Sequence, residues 1–249
     1  MNGRGDEIVS LPFETEVPAL VHRAPGAGSK ALVLALHGQG MRPEGFRRQW
    51  QPLLDLDAHV VFPRGLYPVE IRGAPGPAPR KIGYSWYVYD GNQERFAAEL
   101  ERGVGHLERL LDRLVSLLDV DVDRIALIGF SQGGYLGYAA SMRLAGRLAA
   151  YVGCAARLKD EVLAREIASP PRRFPILHVH GEGDAAVTIE AARSTVAALE
   201  RHGWPVTLEL HPGGHLVGSA EVERIRDWLA ATLQISVVAD RARASRAGQ

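Results

Sequence analysis

Short apolar runs rich in β-branched residues alternate with longer helical patterns along most of this chain. Strands that are apolar throughout are typical of a parallel sheet covered by helices on both faces, because neither face meets water. The alternation therefore predicts an α/β fold with a mostly parallel central sheet. The predicted strands are Ala31–Leu36, His59–Phe62, Arg124–Gly129, Ala149–Cys154, Pro175–His180 and Val206–Leu210.

Four segments have helical periodicity. In Asn92–Leu118, apolar residues recur at steps of three and four, which places them on one face of a helix. Residues Phe13–His22 are expected to add a polar hairpin. Together the segments predict one domain over residues 1–239, followed by a flexible tail at residues 240–249. The other three predicted helices are Gln132–Leu148, Glu190–His202 and Ala220–Leu233.

Two connections are longer than an α/β fold requires. Pro63–Asp90 contains five prolines and five aromatic residues, and it is interpreted as a long functional loop. Ala155–Phe174 is the second, with one short helix expected in it.

Composition excludes several functional classes. The 249 residues carry 29 basic and 29 acidic side chains, so no surplus of positive charge predicts nucleic-acid binding. No apolar run approaches the roughly 18–20 residues of a membrane span. The single cysteine, Cys154, cannot form an intrachain disulfide, and the histidines and acids lack metal-ligand spacing, so no metal is expected. The first ten residues have no apolar core typical of a secretory signal, which predicts a cytoplasmic protein.

One motif places a serine between a strand and a helix. Gly129-Phe130-Ser131-Gln132-Gly133-Gly134 follows the apolar run Ile125–Ile128 and directly precedes a predicted helix. This is the context of a nucleophile elbow, a turn so tight that the serine takes a strained backbone conformation at the carboxyl edge of the sheet. The helix N-terminus there favours a developing oxyanion. Ser131 is the predicted nucleophile, and the alternative is a plain glycine-rich turn with a capping serine.

A serine hydroxyl needs a base, and the base needs an acid that orients it. In the chain order Ser, Asp or Glu, His, both should follow the serine. One later strand runs into Gly181-Glu182-Gly183-Asp184, and the next runs into His211-Pro212-Gly213-Gly214-His215. We predict that Asp184 orients His215 and that His215 acts first as base and then as acid.

Other residues compete for these two roles. Glu182 is the alternative acid, but Asp184 lies further out in its turn. His211 is the alternative base, but it still belongs to the end of its strand. His178 and His180 lie inside a buried strand and are interpreted as core histidines with hydrogen-bond partners.

Two backbone N–H groups are expected to bind the oxyanion. One belongs to Gln132, the residue after the nucleophile, and the other should follow an early strand. Ala31–Leu36 is followed by His37-Gly38-Gln39-Gly40, whose glycines allow the backbone to approach a substrate closely. The Gln39 N–H is the expected donor, with Gly40 as the adjacent alternative.

Further substrate contacts are expected from Gly40 and from two aromatic residues, Trp86 and Tyr87. Trp86 is expected to form a wall of the acyl or alcohol pocket, and the alternative is ordinary packing under the long loop. Cys154 ends an apolar strand and is interpreted as a small buried hydrophobic residue.

These motifs resemble the α/β-hydrolase superfamily and, within it, the phospholipase/carboxylesterase family, which includes acyl-protein thioesterases and small bacterial carboxylesterases. The resemblance implies an α/β-hydrolase fold with a small cap or none, a Ser131–Asp184–His215 triad, no cofactor, and hydrolysis of carboxylic esters or thioesters. The matching segments stand in the family's order along the chain: Leu36–Gly40, Phe62–Gly65, Ser85–Tyr87, Gly129–Gly134, His180–Asp184 and Gly213–His215.

The predicted function is a serine carboxylic-ester hydrolase that acts through an acyl-enzyme on a small-molecule ester. Arg72, Arg80 and Lys81 make the long connection basic, which favours a short or polar ester, or a thioester, over a long acyl chain. The alternatives are a non-catalytic binding protein on the same fold and an acyltransferase or peptidase that uses the same triad. Both a monomer and a homodimer stay open.

Overall fold

The structure is a computed structural model that describes residues 16–26, 28–71 and 81–238. The strands in this part of the chain are β1 (Ala19–His22), β2 (Leu32–Leu36), β3 (His59–Pro63), β4 (Tyr67–Ile71), β5 (Lys81–Ser85), β6 (Ile125–Phe130), β7 (Ala150–Cys154), β8 (Ile176–Gly181) and β9 (Val206–His211). The helices are α1 (Pro43–Gln49), α2 (Gln93–Leu118), α3 (Gln132–Arg143), α4 (Asp160–Ala168), α5 (Ile189–Arg201) and α6 (Ser219–Leu233).

Seven of these strands form the main sheet, in the order β1-β3-β2-β6-β7-β8-β9. Among the described strand pairs of this main sheet, only the edge pair β1–β3 is antiparallel, and the other five pairs are parallel. The predicted α/β fold with a mostly parallel sheet is therefore confirmed. Since parallel strands end at one edge, the loops after β2, β6, β8 and β9 meet there.

Helices cover both faces of the sheet. Along β2, Leu32, Leu34 and Leu36 pack with α2, α3, α4 and α5 on one face. The alternate residues Val33 and Ala35 pack with α1 and α6 on the other face. Because successive side chains of a strand point to opposite faces, a fully apolar strand supplies both layers of the core.

Helix α2 shows how the apolar stripe decides packing. The Asn92 side chain, just before the first helical residue, accepts a hydrogen bond from the Arg95 N–H and caps the N-terminus. The stripe predicted from the sequence is the buried face of this helix, which packs into the core. Its members are Phe96, Leu100, Val104, Leu107, Leu111, Leu114 and Leu118.

Several expectations about the connections need correction. The long connection contains a β-hairpin, because Tyr67–Ile71 pairs antiparallel with Lys81–Ser85. Helix α1 was not predicted, since its seven residues are too short to show a clear apolar period. Helix α3 ends at Arg143 rather than Leu148, because the backbone of Leu144 leaves helical geometry and a short 3-10 turn follows.

Some expectations lie partly or wholly outside the described residues. The predicted tail, residues 240–249, is one of them, and so are Arg72 and Arg80 of the long connection. Of the predicted N-terminal hairpin, residues 16–22 are described, and their strand β1 joins the main sheet against β3. The single domain over residues 1–239 stays a prediction.

The core packing predicts a large difference between two leucines of α2. Leu107 is 1% exposed and Leu117 is 48% exposed. Leu107→Ala should lower the free energy of unfolding by about 2–5 kcal/mol, because it removes buried methyl groups and leaves a cavity. Leu117→Ala should change it by less than about 0.5 kcal/mol. Urea unfolding measures both values, and equal effects of the two substitutions would contradict this packing.

Candidate active site

The backbone is strained where β6 meets α3. Ser131 has φ 51° and ψ −119°, a conformation that L side chains rarely adopt. The Ser131 N–H donates to the Cys154 carbonyl at 2.9 Å, which ties the turn to the neighbouring strand β7. The turn therefore holds the Ser131 side chain at the carboxyl edge of the sheet, in front of the N-terminus of α3.

Glycines make this turn possible because other backbone occupies the space of a side chain. A Cβ on Gly129 would lie 2.3 Å from the Gly133 carbonyl oxygen. A Cβ on Gly133 would lie 2.4 Å from the Leu36 carbonyl oxygen. Both separations are far below van der Waals contact, so the strand and helix approach this closely only with glycine at the two positions.

Three side chains from three loops meet in a hydrogen-bonded row. His215 Nε2 lies 2.8 Å from Ser131 Oγ. On the other side of the ring, His215 Nδ1 lies 2.8 Å from Asp184 Oδ2. With Nδ1 as donor to the carboxylate, Nε2 is left to accept the serine proton. The order and spacing are those of a nucleophile, a base and an orienting acid.

The competing residues lie elsewhere. His211 is buried at the end of β9, and its Nδ1 accepts a hydrogen bond from the Gly213 N–H at 3.1 Å. Glu182 is exposed at the surface of its turn. Of the alternatives that the sequence left open, His215 is the histidine that contacts Ser131, and Asp184 is the acid that contacts His215.

The Asp184 carboxylate is buried and anchored. Its Oδ1 accepts the N–H groups of Ala186 at 2.8 Å and Val187 at 2.9 Å. Burial acts to raise the pKa of Asp184, but these two hydrogen bonds and the one from His215 outweigh it and lower that pKa below its usual value. The group is therefore a carboxylate whenever His215 needs an acceptor.

Two further histidines support the acid from inside the sheet. His180 Nε2 hydrogen-bonds the Val187 carbonyl at 2.8 Å and lies 3.7 Å from Asp184 Oδ2. Its neighbour His178 contacts the Tyr138 hydroxyl at 2.5 Å. Burial, with a smaller contribution from His180, lowers the pKa of His178 to about 3, so this ring is neutral. Both have hydrogen-bond partners in the core, as the sequence indicated.

The two backbone N–H groups predicted to bind an oxyanion are those of Gln132 and Gln39. Within the described ranges, neither the Gln132 N–H nor the Gln39 N–H has a hydrogen-bond acceptor, and both residues line the same cleft as Ser131. The alternative donor is not available, because the Gly40 N–H donates to the Tyr84 carbonyl at 2.8 Å. Gly40 instead lines a neighbouring groove beside α1.

The loop that carries Gln39 is held in place by hydrogen bonds of the buried His37 ring. This ring is fully buried, donates from Nδ1 to the Gly38 carbonyl at 2.7 Å and accepts the Gly65 N–H at Nε2, at 3.0 Å. Burial lowers the pKa of His37, which favours the neutral ring that these two bonds require. The histidine of the motif thus shapes the loop and does not face the cleft.

The expectation that Trp86 lines a substrate pocket is wrong. Trp86 is 0% exposed, and its Nε1 donates to the His37 carbonyl at 2.8 Å. It is drawn inward because the Gln132 side chain accepts the Trp86 N–H at 2.9 Å and donates to the Tyr87 carbonyl at 2.9 Å. Tyr87, in contrast, does line the cleft.

The cleft in front of Ser131 has a volume of about 510 Å³. Several of its walls were not found from the sequence, because they come from segments distant in the chain. Tyr135 is the exception: it lies one helical turn after Ser131, so the sequence spacing alone could have indicated it. The lining residues that were missed are Tyr89, Phe96, Tyr135, Lys159, Ala186 and Val187.

Cys154 is buried and free, and burial raises the pKa of its thiol. In the part of the chain that the structure covers, no group of three or more His, Cys, Asp and Glu side chains could hold a metal ion. Among the described helices, none combines the length and the apolar character that crossing a membrane would require.

Comparison with known proteins identifies the family. The sequence profile of the phospholipase/carboxylesterase family matches residues 20–233. The chain therefore belongs to this family of α/β-hydrolases, and it is a serine ester hydrolase of the carboxylesterase type. The resemblance predicted from its motifs is confirmed.

Two curated proteins illustrate the likeness. Acyl-protein thioesterase 1 of Neurospora crassa is 29% identical over 226 residues, which cover 85% of this chain and 89% of the relative. A probable carboxylesterase of Oryza sativa subsp. japonica is 25% identical over 211 residues, which cover 82% of this chain and 88% of the relative.

Solved structures share the fold. Esterase PE8 superimposes with a TM-score of 0.73 at 23% identity, covering 88% of this chain and all (100%) of that one. The carboxylesterase of Bacillus cereus does so with a TM-score of 0.65 at 17% identity, covering 87% and 94%.

The tight turn predicts that Gly133→Ala destabilises the protein. The added methyl group meets the Leu36 and His37 carbonyls at 2.4 and 2.6 Å, so the free energy of unfolding should fall by about 1–3 kcal/mol. Gly105→Ala on α2 is the matched control, since its methyl group would lie 3.5 Å from the flexible Arg109 guanidinium, an ordinary contact distance, and alanine favours a helix. Thermal unfolding compares the two variants. A Gly133→Ala protein as stable as the wild type would rule out this packing.

Proposed function

We propose that Ser131, His215 and Asp184 are the catalytic residues of this esterase and that the substrate is a short or polar carboxylic ester, with thioesters as a second substrate class. The observation that carries the proposal is the continuous row of two 2.8 Å contacts from Ser131 Oγ through His215 to Asp184. Such a row activates a serine hydroxyl that is otherwise a weak nucleophile.

In the proposed first step, Ser131 Oγ attacks the carbonyl carbon while its proton passes to His215 Nε2. The carbonyl oxygen becomes an oxyanion, which the N–H groups of Gln132 and Gln39 stabilise together with the N-terminus of α3. Asp184 stabilises the imidazolium that forms. Its two backbone donors fix its position, so the ring does not need to reorient during the reaction.

The tetrahedral intermediate then collapses. His215 gives its proton to the leaving alcohol or thiol, and the acyl group stays on Ser131. Water enters, His215 removes its proton, and attack on the acyl carbon forms a second oxyanion at the same two N–H groups. Its collapse returns the proton to Ser131 Oγ and releases the acid.

The size and lining of the cleft support a short or polar substrate. A volume of about 510 Å³ holds a small ester, and the lining includes three tyrosines and a lysine. The cytoplasmic location stays a prediction, as does the choice between a monomer and a homodimer.

The proposal predicts that Ser131→Ala abolishes hydrolysis of a short p-nitrophenyl ester, with kcat/KM lower by at least about 10⁴-fold. The control is Ser194→Ala on the exposed side of α5, which should retain wild-type activity. Circular dichroism and the melting temperature establish that both variants are folded. Turnover by folded Ser131→Ala at the wild-type rate would contradict the assignment of the nucleophile.

A further inference from the structure

One cation in the cleft has no part in the proposed mechanism. Lys159 precedes α4 and lines the same cleft as Ser131. Its side chain is only 12% exposed, and Nζ lies 5.1 Å from the centre of the Phe96 ring. Apart from His215, it is the one basic residue among the described residues that line the cleft.

The acidic neighbour of Lys159 has a stronger partner. Glu161 Oε1 lies 3.2 Å from Lys159 Nζ. The same carboxylate receives two hydrogen bonds from the Arg157 guanidinium, at 2.8 and 3.2 Å. A bidentate guanidinium pair is the stronger arrangement for a carboxylate. Arg157 and Glu161 therefore compensate each other's charge, and the 3.2 Å contact with Glu161 compensates the Lys159 charge only in part.

The ammonium group also keeps unused hydrogen-bond donors. It has three donors, and Glu161 is its only acidic partner within the described ranges. No Asp or Glu side chain lines the cleft among those residues. Asp184 is fully buried behind His215, and three hydrogen bonds already occupy its oxygens. Lys159 is therefore the charged donor that this cleft offers to a substrate.

We propose that this cleft takes esters that carry a free carboxylate and that Lys159 binds the carboxylate. The inference rests on the proposed function, since it places the anion and the reacting ester in one cleft. The Phe96 ring covers one side of the ammonium group, and the Lys159 side chain is largely buried. An ion pair formed there is screened less than one on the open surface. Lys159 is thus a specificity-determining residue and not a catalytic one.

Two pairs of substrates test the proposal, because the carboxylate can lie on either side of the ester bond. Monomethyl adipate and methyl hexanoate differ by a carboxylate on the acyl side. 4-Acetoxybenzoate and 4-acetoxybenzamide differ by a carboxylate on the alcohol side. Acid release from the first pair and phenol release from the second give kcat and KM for each ester.

In at least one pair, Lys159→Met should lower kcat/KM for the carboxylate ester by about 10- to 100-fold, mainly through KM. The neutral member of that pair should change by less than about twofold, because its binding does not use the charge. Lys159→Arg should restore part of the preference. Lys30→Met is the matched control: Lys30 pairs with Asp119 beyond the opposite end of β2 and should leave all four esters unaffected.

Three outcomes would overturn the inference. If Lys159→Met lowers kcat/KM equally for charged and neutral esters, the residue has a structural role. If it lowers neither, Lys159 does not bind the carboxylate. Both results leave the proposed esterase mechanism intact. If the wild-type protein hydrolyses none of the four esters, the inference fails, and hydrolysis of the short p-nitrophenyl ester decides separately whether the proposed function stands.

Discussion

The conformation of Ser131 is the constraint on which the site depends. Its positive φ is unfavourable for a residue with a side chain. The conformation persists because β6 and α3 flank the turn directly and the Ser131 N–H is hydrogen-bonded to the Cys154 carbonyl. The Gln132 N–H that follows this turn has no acceptor among the described residues. Thus one strained turn places the proposed nucleophile and a proposed oxyanion donor in the same cleft. The tight contact of Gly133 with the Leu36 carbonyl also fixes the distance between this turn and the loop that carries Gln39.

The other half of the site depends on how firmly Asp184 is held. Its carboxylate has no freedom to turn away, because the Ala186 and Val187 N–H groups occupy one oxygen and His215 the other. Burial without these donors would favour the protonated acid, which lacks the negative charge that stabilises an imidazolium at His215. The lowered pKa of Asp184 is the electrostatic result of this arrangement. His180 adds a second layer by holding the Val187 carbonyl in place.

The sequence predicted most of the scaffold, since fully apolar strands and the stripe of α2 have unambiguous periods. It also predicted which three loops bring Ser131, Asp184 and His215 together, because each loop follows a strand directly. It failed for Trp86, whose inward position depends on hydrogen bonds to His37 and Gln132, more than 40 residues away in the chain. Lys159 was missed for a similar reason, because only the folded chain brings it to the cleft. Periodicity reports burial along one element, whereas these positions depend on contacts between distant elements.

The central claim is that Ser131 carries the acyl group during turnover. The most direct measurement is acid quenching during the hydrolysis of a short p-nitrophenyl ester, followed by peptide mass spectrometry. The account predicts a mass increase equal to the acyl group on the peptide that contains Ser131, at the serine itself, and no such adduct in Ser131→Ala. Rapid turnover by the wild-type protein with the acyl group found on another residue would contradict the account.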